Sequence, residues 1–399
     1  MNRRLLATLI VVSATVLAGC GAFGGAPSPT ATPTDTEAST PVPTPTETAT
    51  PAAASTPAPV PVAGNLSVDA TLVWERVESL FPGEYEPPLV SARNVTGTSI
   101  LLPFATHLGL GRGGEAFAAE NAGGGYVRQE DRVLLLTRNG SATELERILA
   151  HEFVHAIQDQ IGLLERADDT ESFAAERAIV EGSAVYVENF YTREFLRFSS
   201  LDRTCAEYAN GTPYARYVNA PYCYGGQYFA ARLDSPSELS NRDLRLPNTT
   251  EQVLHPEATD SPSNLTVTTG WEATAERDRQ GELFVRTALG TELPEERAIE
   301  AAAGWGNDRL VSVTGDTEGY VWVLRWDTDA DAAEFETAFA DYLDARGNRT
   351  ADGWRVDDDR YRLATVDDRT VAVVTGNDTF VDSVSVTGES GNVTIASES

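Results

Sequence analysis

Apolar residues recur every three or four positions between 145 and 164, at Leu145, Leu149, Phe153, Ala156, Ile157, Ile161 and Leu164. At about 100° per residue they share one broad arc, which predicts a helix with a single buried face. Ser141-Ala142-Thr143-Glu144, just before it, has the capping-box form that starts a helix. The same period predicts helices at 69–80 and about 172–198, with shorter ones at 224–233, 278–289, 294–304 and 330–343. Strand patterns fall at 87–93, 308–315, 320–327, 360–368 and 369–376, and a hairpin spans 123–138 with its polar turn near Gln129-Glu130-Asp131. There is no internal repeat. Helices grouped in the middle and an antiparallel sheet at the end predict an α+β protein.

The two ends of this pattern change the picture. Arg3-Arg4, an apolar-leaning stretch from Leu5 to Ala18 and then Leu17-Ala18-Gly19-Cys20 fit a secretory signal, too short to span a bilayer, that ends in a lipobox. Cys20 is then the lipidated first residue of the mature chain. Residues 21–64 hold ten of the 21 prolines and read as an extended stalk, reaching on the order of 100 Å. No later stretch is long and apolar enough to cross a membrane, so the rest is expected on the extracellular face of the cell membrane. The expected division is a signal at 1–20, a stalk at 21–64, a first domain at 65–265 and helices with an α+β sheet module at 266–399.

The formal charge is −30, and all 30 basic residues are arginine. Such a surface suits solubility in concentrated salt and excludes nucleic acid as a partner. Nine Asn-x-Ser/Thr sequons, from Asn65 to Asn392, are possible glycan sites in an exported chain. With Cys20 lipidated, Cys205 and Cys223 remain as one expected disulfide; two buried free thiols are the alternative.

His151 and His155 are two of only four histidines. They lie one turn apart, about 40° round the helix and off the apolar arc, with Glu152 between them. Two imidazoles at this spacing can hold one Zn²⁺, with the glutamate left to act on water, and three protein ligands leave the fourth position open. The competing reading is a solvated polar face. For the third ligand the helix near 172–198 offers Glu181, set among Ala174, Ala178, Ala184 and Val185 with Gly182 at the edge. A face this small predicts a close helix approach. A salt bridge from Glu181 to Arg177 is the other reading, and Glu171 and Glu176 are weaker candidates.

His151-Glu152-Phe153-Val154-His155 followed 26 positions later by Glu181-Gly182-Ser183-Ala184 resembles the gluzincin metallopeptidases. The stretches 123–136, 222–229, 249–257 and 301–310 are similar to landmarks of a surface-lipoprotein group of salt-loving archaea that carries this core. The likeness runs over roughly residues 68 to 345, and only the zinc motif is highly specific. It implies a zincin-like core of helices with a small mixed sheet, one Zn²⁺ per chain on His151, His155 and Glu181, and Glu152 as general base in hydrolysis of a peptide or protein substrate. The strand around Gly125, Tyr126 and Val127 is the candidate to pair with that substrate as edge strands do, an ordinary covered hairpin being the alternative. Val185 stands where some gluzincins have a supporting acid, which leaves that role to Glu188. His255 is the candidate oxyanion donor, a structural hydrogen bond being the alternative, and His107 is read as structural. Six of the thirteen tyrosines, between Tyr208 and Tyr228, either line a cleft or pack around the cysteines. The competing function is a non-catalytic surface binding or envelope protein that keeps the peptidase fold.

Overall fold

The structure, a computed structural model, describes residues 59–99, 103–168, 170, 172–258, 261–270, 273–274, 279–313 and 318–397. The expected signal segment, Cys20, the stalk up to residue 58 and Glu171 lie outside the described residues. The protein is mixed α+β, with an antiparallel sheet in its C-terminal half.

The N-terminal half carries a four-stranded sheet in the order Val62–Ala63, Leu89–Arg93, Arg132–Leu136, Gly123–Val127. Its first three strands run parallel, and the predicted hairpin adds the fourth antiparallel, with Gly123 opposite Leu136 and Val127 opposite Arg132. Among the described residues Gly123–Val127 pairs only with Arg132–Leu136, so it is an edge strand. Across this sheet lies the histidine helix, Ala142–Gln160. Its apolar arc is buried as the period predicts, with Phe153 meeting Trp74 edge to face at 5.2 Å. Ser141 caps it by accepting from the Glu144 amide. The capping box stays half made, because the Glu144 carboxylate is drawn to Arg147 and Arg203 instead. Gly162, at φ 73°, ends the helical run, and Leu164 reaches the core from a separate short helix.

The glutamate helix runs Phe173–Tyr191, shorter than predicted, and continues as a π-helical turn over Thr192–Leu196. The tyrosine-rich segment forms two helices, Ser200–Asn210 and Pro213–Arg232, the second longer than the helix predicted at 224–233. The second, here the tyrosine helix, contains Pro221 and carries two glycines where close packing demands small residues. A Cβ on Gly182 would fall 2.4 Å from the Cα of Gly225. The small face of the glutamate helix therefore packs closely on the tyrosine helix, while Glu181 beside it reaches the histidine helix. Cys205 and Cys223 form a disulfide joining the two helices of this segment, with Cα atoms 4.8 Å apart.

The C-terminal half is built on a seven-stranded antiparallel sheet whose central strands are Trp305–Val313, Gly319–Trp326, Thr370–Gly376 and Asp359–Asp367. The helix Asp329–Arg346 covers one face through Phe335, Phe339, Tyr342 and Leu343. A three-stranded sheet covers the other, and its strand Asn392–Ser397 pairs parallel with Thr266–Thr269, a pairing across more than a hundred residues that local pattern does not reveal.

One segment crosses between the halves. Phe104, Ala105, Leu108 and Leu110 are buried in the C-terminal core. The carbonyl of His107 accepts from Arg346 and Tyr361, the carbonyl of Leu108 accepts from Tyr342, and His107 Nδ1 lies 2.7 Å from Asp359. His107 is thus a tie between the halves. Among the described residues no helix is long and apolar enough to cross a membrane.

Candidate metal centre

The histidine face is neither solvated nor apolar. His151, Glu152, His155 and Gln158 are all buried, under the glutamate helix. One ligand atom from each of His151, His155 and Glu181 lies within 4.8 Å of the other two. The Nε2 atoms of His151 and His155 stand 3.4 and 3.2 Å from Glu181 Oε2. Two donors each about 2 Å from one tetrahedral ion would be roughly 3.3 Å apart. Glu181 is 1% exposed and aimed at the imidazoles, which is not the surface pair with Arg177 that its spacing also allowed.

The outer ring nitrogens decide the tautomers. His151 Nδ1 lies 2.8 Å from Glu188 Oε2, and His155 Nδ1 lies 2.8 Å from Gln158 Oε1. Gln158 cannot be reversed, since its Nε2 donates to the Val180 carbonyl and to Ser183. Each imidazole therefore donates from Nδ1 and turns a lone pair at Nε2 towards a carboxylate. His155 Nε2 makes no hydrogen bond despite its 3.2 Å approach. Three acceptors converging on one point need a cation, and their N₂O set suits Zn²⁺. A proton is the alternative: burial disfavours the charged His151 ring, but hydrogen bonds to Glu181 and Glu188 outweigh it and raise its pKa to about 10. Burial likewise opposes ionisation of Glu188, yet Arg147 and His151 hold its pKa down at about 2. The position left open by Val185 is served by Glu188, one turn further along the glutamate helix.

Glu152 is different. It is 0% exposed, and neither carboxylate oxygen has a hydrogen-bond partner. Burial raises its pKa to about 7, against the pull of the two imidazoles. A carboxyl group poised near neutrality and free of other duties is suited to moving a proton.

The chamber around Glu152 is lined by Gly123, Gly124, His151, Glu188, Asn219 and Tyr222, and roofed by Ser200, Arg203, Thr204 and Glu207 of the helix Ser200–Asn210. Its free space is about 20 Å³, room for about one water. Gly124, the neighbour of Gly125, meets the base: a Cβ there would lie 2.7 Å from Glu152 Oε1. Tyr126 points away and is pinned through its hydroxyl to Asp131 and Asp159. The backbone edge of Gly123–Val127, where the strand contact was expected, is unpaired among the described residues.

His255 is not brought to the centre by any contact. It ends the short helix Thr250–Leu254, and its Nε2 lies 3.0 Å from Glu282. A loop residue's position follows from long-range packing, which the motif spacing could not reveal. The tyrosine helix instead supplies the nearby donors. The Tyr222 ring stacks on His151 at 6.0 Å, and burial keeps its phenol protonated. Asn219 is 0% exposed with both amide atoms unpartnered. The density of tyrosine around the cysteines was the sequence signal for this wall; Asn219 had none.

Residues 264–385 match a family described as a domain of unknown function (DUF8575). The match lies outside the metal centre. No curated protein matches the chain, and no solved structure does.

Proposed function

We propose that this chain is a zinc-dependent metallopeptidase of gluzincin type with a zincin-like core, held at the outer face of a cell membrane by a lipid on Cys20. Glu152 carries the reading: a buried carboxylate with no hydrogen-bond partner stands beside two imidazoles whose lone pairs converge on a third ligand. A merely structural zinc has no use for such a base. Zn²⁺ held by His151, His155 and Glu181 would supply a Lewis acid that polarises a peptide carbonyl and acidifies water. Glu152 takes the proton of the attacking water and returns it to the leaving amine. Glu188 and Gln158 hold the two imidazoles in the ligating tautomer. Tyr222, in place of His255, donates to the carbonyl oxygen as it gains charge. Asn219, with one donor and one acceptor unused, matches a substrate amide, and the edge Gly123–Val127 accepts the peptide backbone as an added strand.

A non-catalytic surface binding protein is the second reading, favoured by the roof that leaves so little space beside Glu152. Metal analysis and peptide cleavage in molar salt separate the two. The expected result is one zinc per chain and hydrolysis of casein that Glu152→Ala abolishes without releasing the metal. A chain that cuts nothing, with or without zinc, belongs to the second reading, and a chain that holds no zinc sinks the first.

A further inference from the structure

One turn back along the glutamate helix from Glu181, a cavity of about 200 Å³ opens at Arg177. Phe173, Tyr217, Pro221, Leu283 and Phe284 give it apolar walls drawn from both halves of the chain. The guanidiniums of Arg177 and Arg279 complete it, and among the described residues no carboxylate lines it. In a chain with 60 acidic and 30 basic residues that balance runs against composition.

The two arginines differ. Arg279 donates from Nε to Asn307 Oδ1 at 2.9 Å. Arg177 is 7% exposed, and its Nε and Nη2 have no hydrogen-bond partner. Its charge is permanent. The rings of Phe173 and Tyr222 lie 5.9 and 5.7 Å from its Cζ, and the Tyr222 hydroxyl also bonds the guanidinium, but neither satisfies Nε or Nη2. Glu181, the carboxylate one turn on, attracts the guanidinium through space, but its Oε2 is turned to the imidazoles and Nε and Nη2 stay without a hydrogen bond. A buried cation with two open donors is costly for a fold to keep for packing alone. Nε–H and Nη2–H form one edge of the planar fork, and that edge matches the two oxygens of a carboxylate.

We infer that this cavity binds a carboxylate whose adjoining group is apolar, and that in the peptidase this is the C-terminal residue of the substrate. The second half rests on the peptidase reading. The first half does not.

The test uses the full chain in molar salt, titrated in a calorimeter with N-acetylphenylalanine and with its primary amide. The acid is expected to bind at least about tenfold more tightly, as charge-assisted hydrogen bonds require. Arg177→Gln removes the preference, and Ala220→Trp, which fills the cavity and spares the arginine, removes binding of both probes. Glu152→Gln keeps the preference. Equal binding of acid and amide by the wild type overturns the proposal, as does a preference that survives in folded Arg177→Gln or in Ala220→Trp. In the cleavage assay a peptide with a free C-terminus has a lower KM than its amidated twin, and Arg177→Gln makes them equal. Twins with equal KM in the wild type overturn the assignment to substrate. Acid-selective binding by a chain that cuts no peptide upholds the cavity and rejects the peptidase.

Discussion

Two buried carboxylates, one in each half of the chain, show what separates a structural acid from a reactive one. Asp308 is 0% exposed and accepts four hydrogen bonds, from the amides of Gln280 and Gly281 and the indoles of Trp305 and Trp322. Glu152 is equally buried and accepts none. Burial raises the pKa of both. At Asp308 the donors pull it back, so the ion serves as a bolt between the segment 280–281 and the sheet. At Glu152 nothing in the described chain stabilises the charge except the two imidazoles, and the group stays ready to take up a proton.

The contrast can be broken at its reactive end first. Glu152→Gln lowers kcat by roughly 10²- to 10⁴-fold, while the denaturation midpoint and zinc content stay as in the wild type. Asp308→Ala reverses the pattern: it orphans four donors and costs about 4 kcal/mol of stability in urea melts, with zinc still bound by whatever folds. Tyr222→Phe lowers kcat roughly 100-fold, whereas His255→Asn leaves kcat unchanged, a pair that separates the two oxyanion candidates. Glu188→Gln weakens zinc roughly 10- to 100-fold in chelator competition, since it frees the His151 ring.

The smallest effect belongs to His255. Its hydrogen bond to Glu282 raises its pKa above 6.5, against burial. The folded state therefore holds the proton more tightly, so the stabilisation is full below pH 6.5 and fades as pH rises through the shifted value. The imidazole is 54% exposed, and solvent screening keeps the gain below about 0.5 kcal/mol. His255→Asn should show that loss at pH 5 and none at pH 9.

Much of the centre could be read from local spacing. His151, His155 and Glu152 follow from one helical period, and Glu181 stood out because a carboxylate among alanines and a glycine needs a reason. Periodicity gives the angle of a side chain round its own helix, not what covers it. That is why the histidine face was legible as polar and not as buried, and why the small face of the glutamate helix announced a close neighbour without saying which. Gly225, which receives it, lies 43 positions away from Gly182, in a helix whose partner local period does not name. The Arg177 cavity was hidden for the same reason, since its walls come from segments a hundred residues apart.

The segment at Phe104 to Leu110 bears on how such a chain is made. Its next partner in that core, Phe284, is 180 positions later. At about 5–20 residues per second, synthesis leaves this apolar stretch waiting for roughly 10–40 s. The half that carries the histidines thus cannot finish before the sheet that closes over this stretch has been made. Ribosomal timing favours release of a chain whose two halves are still to close on each other.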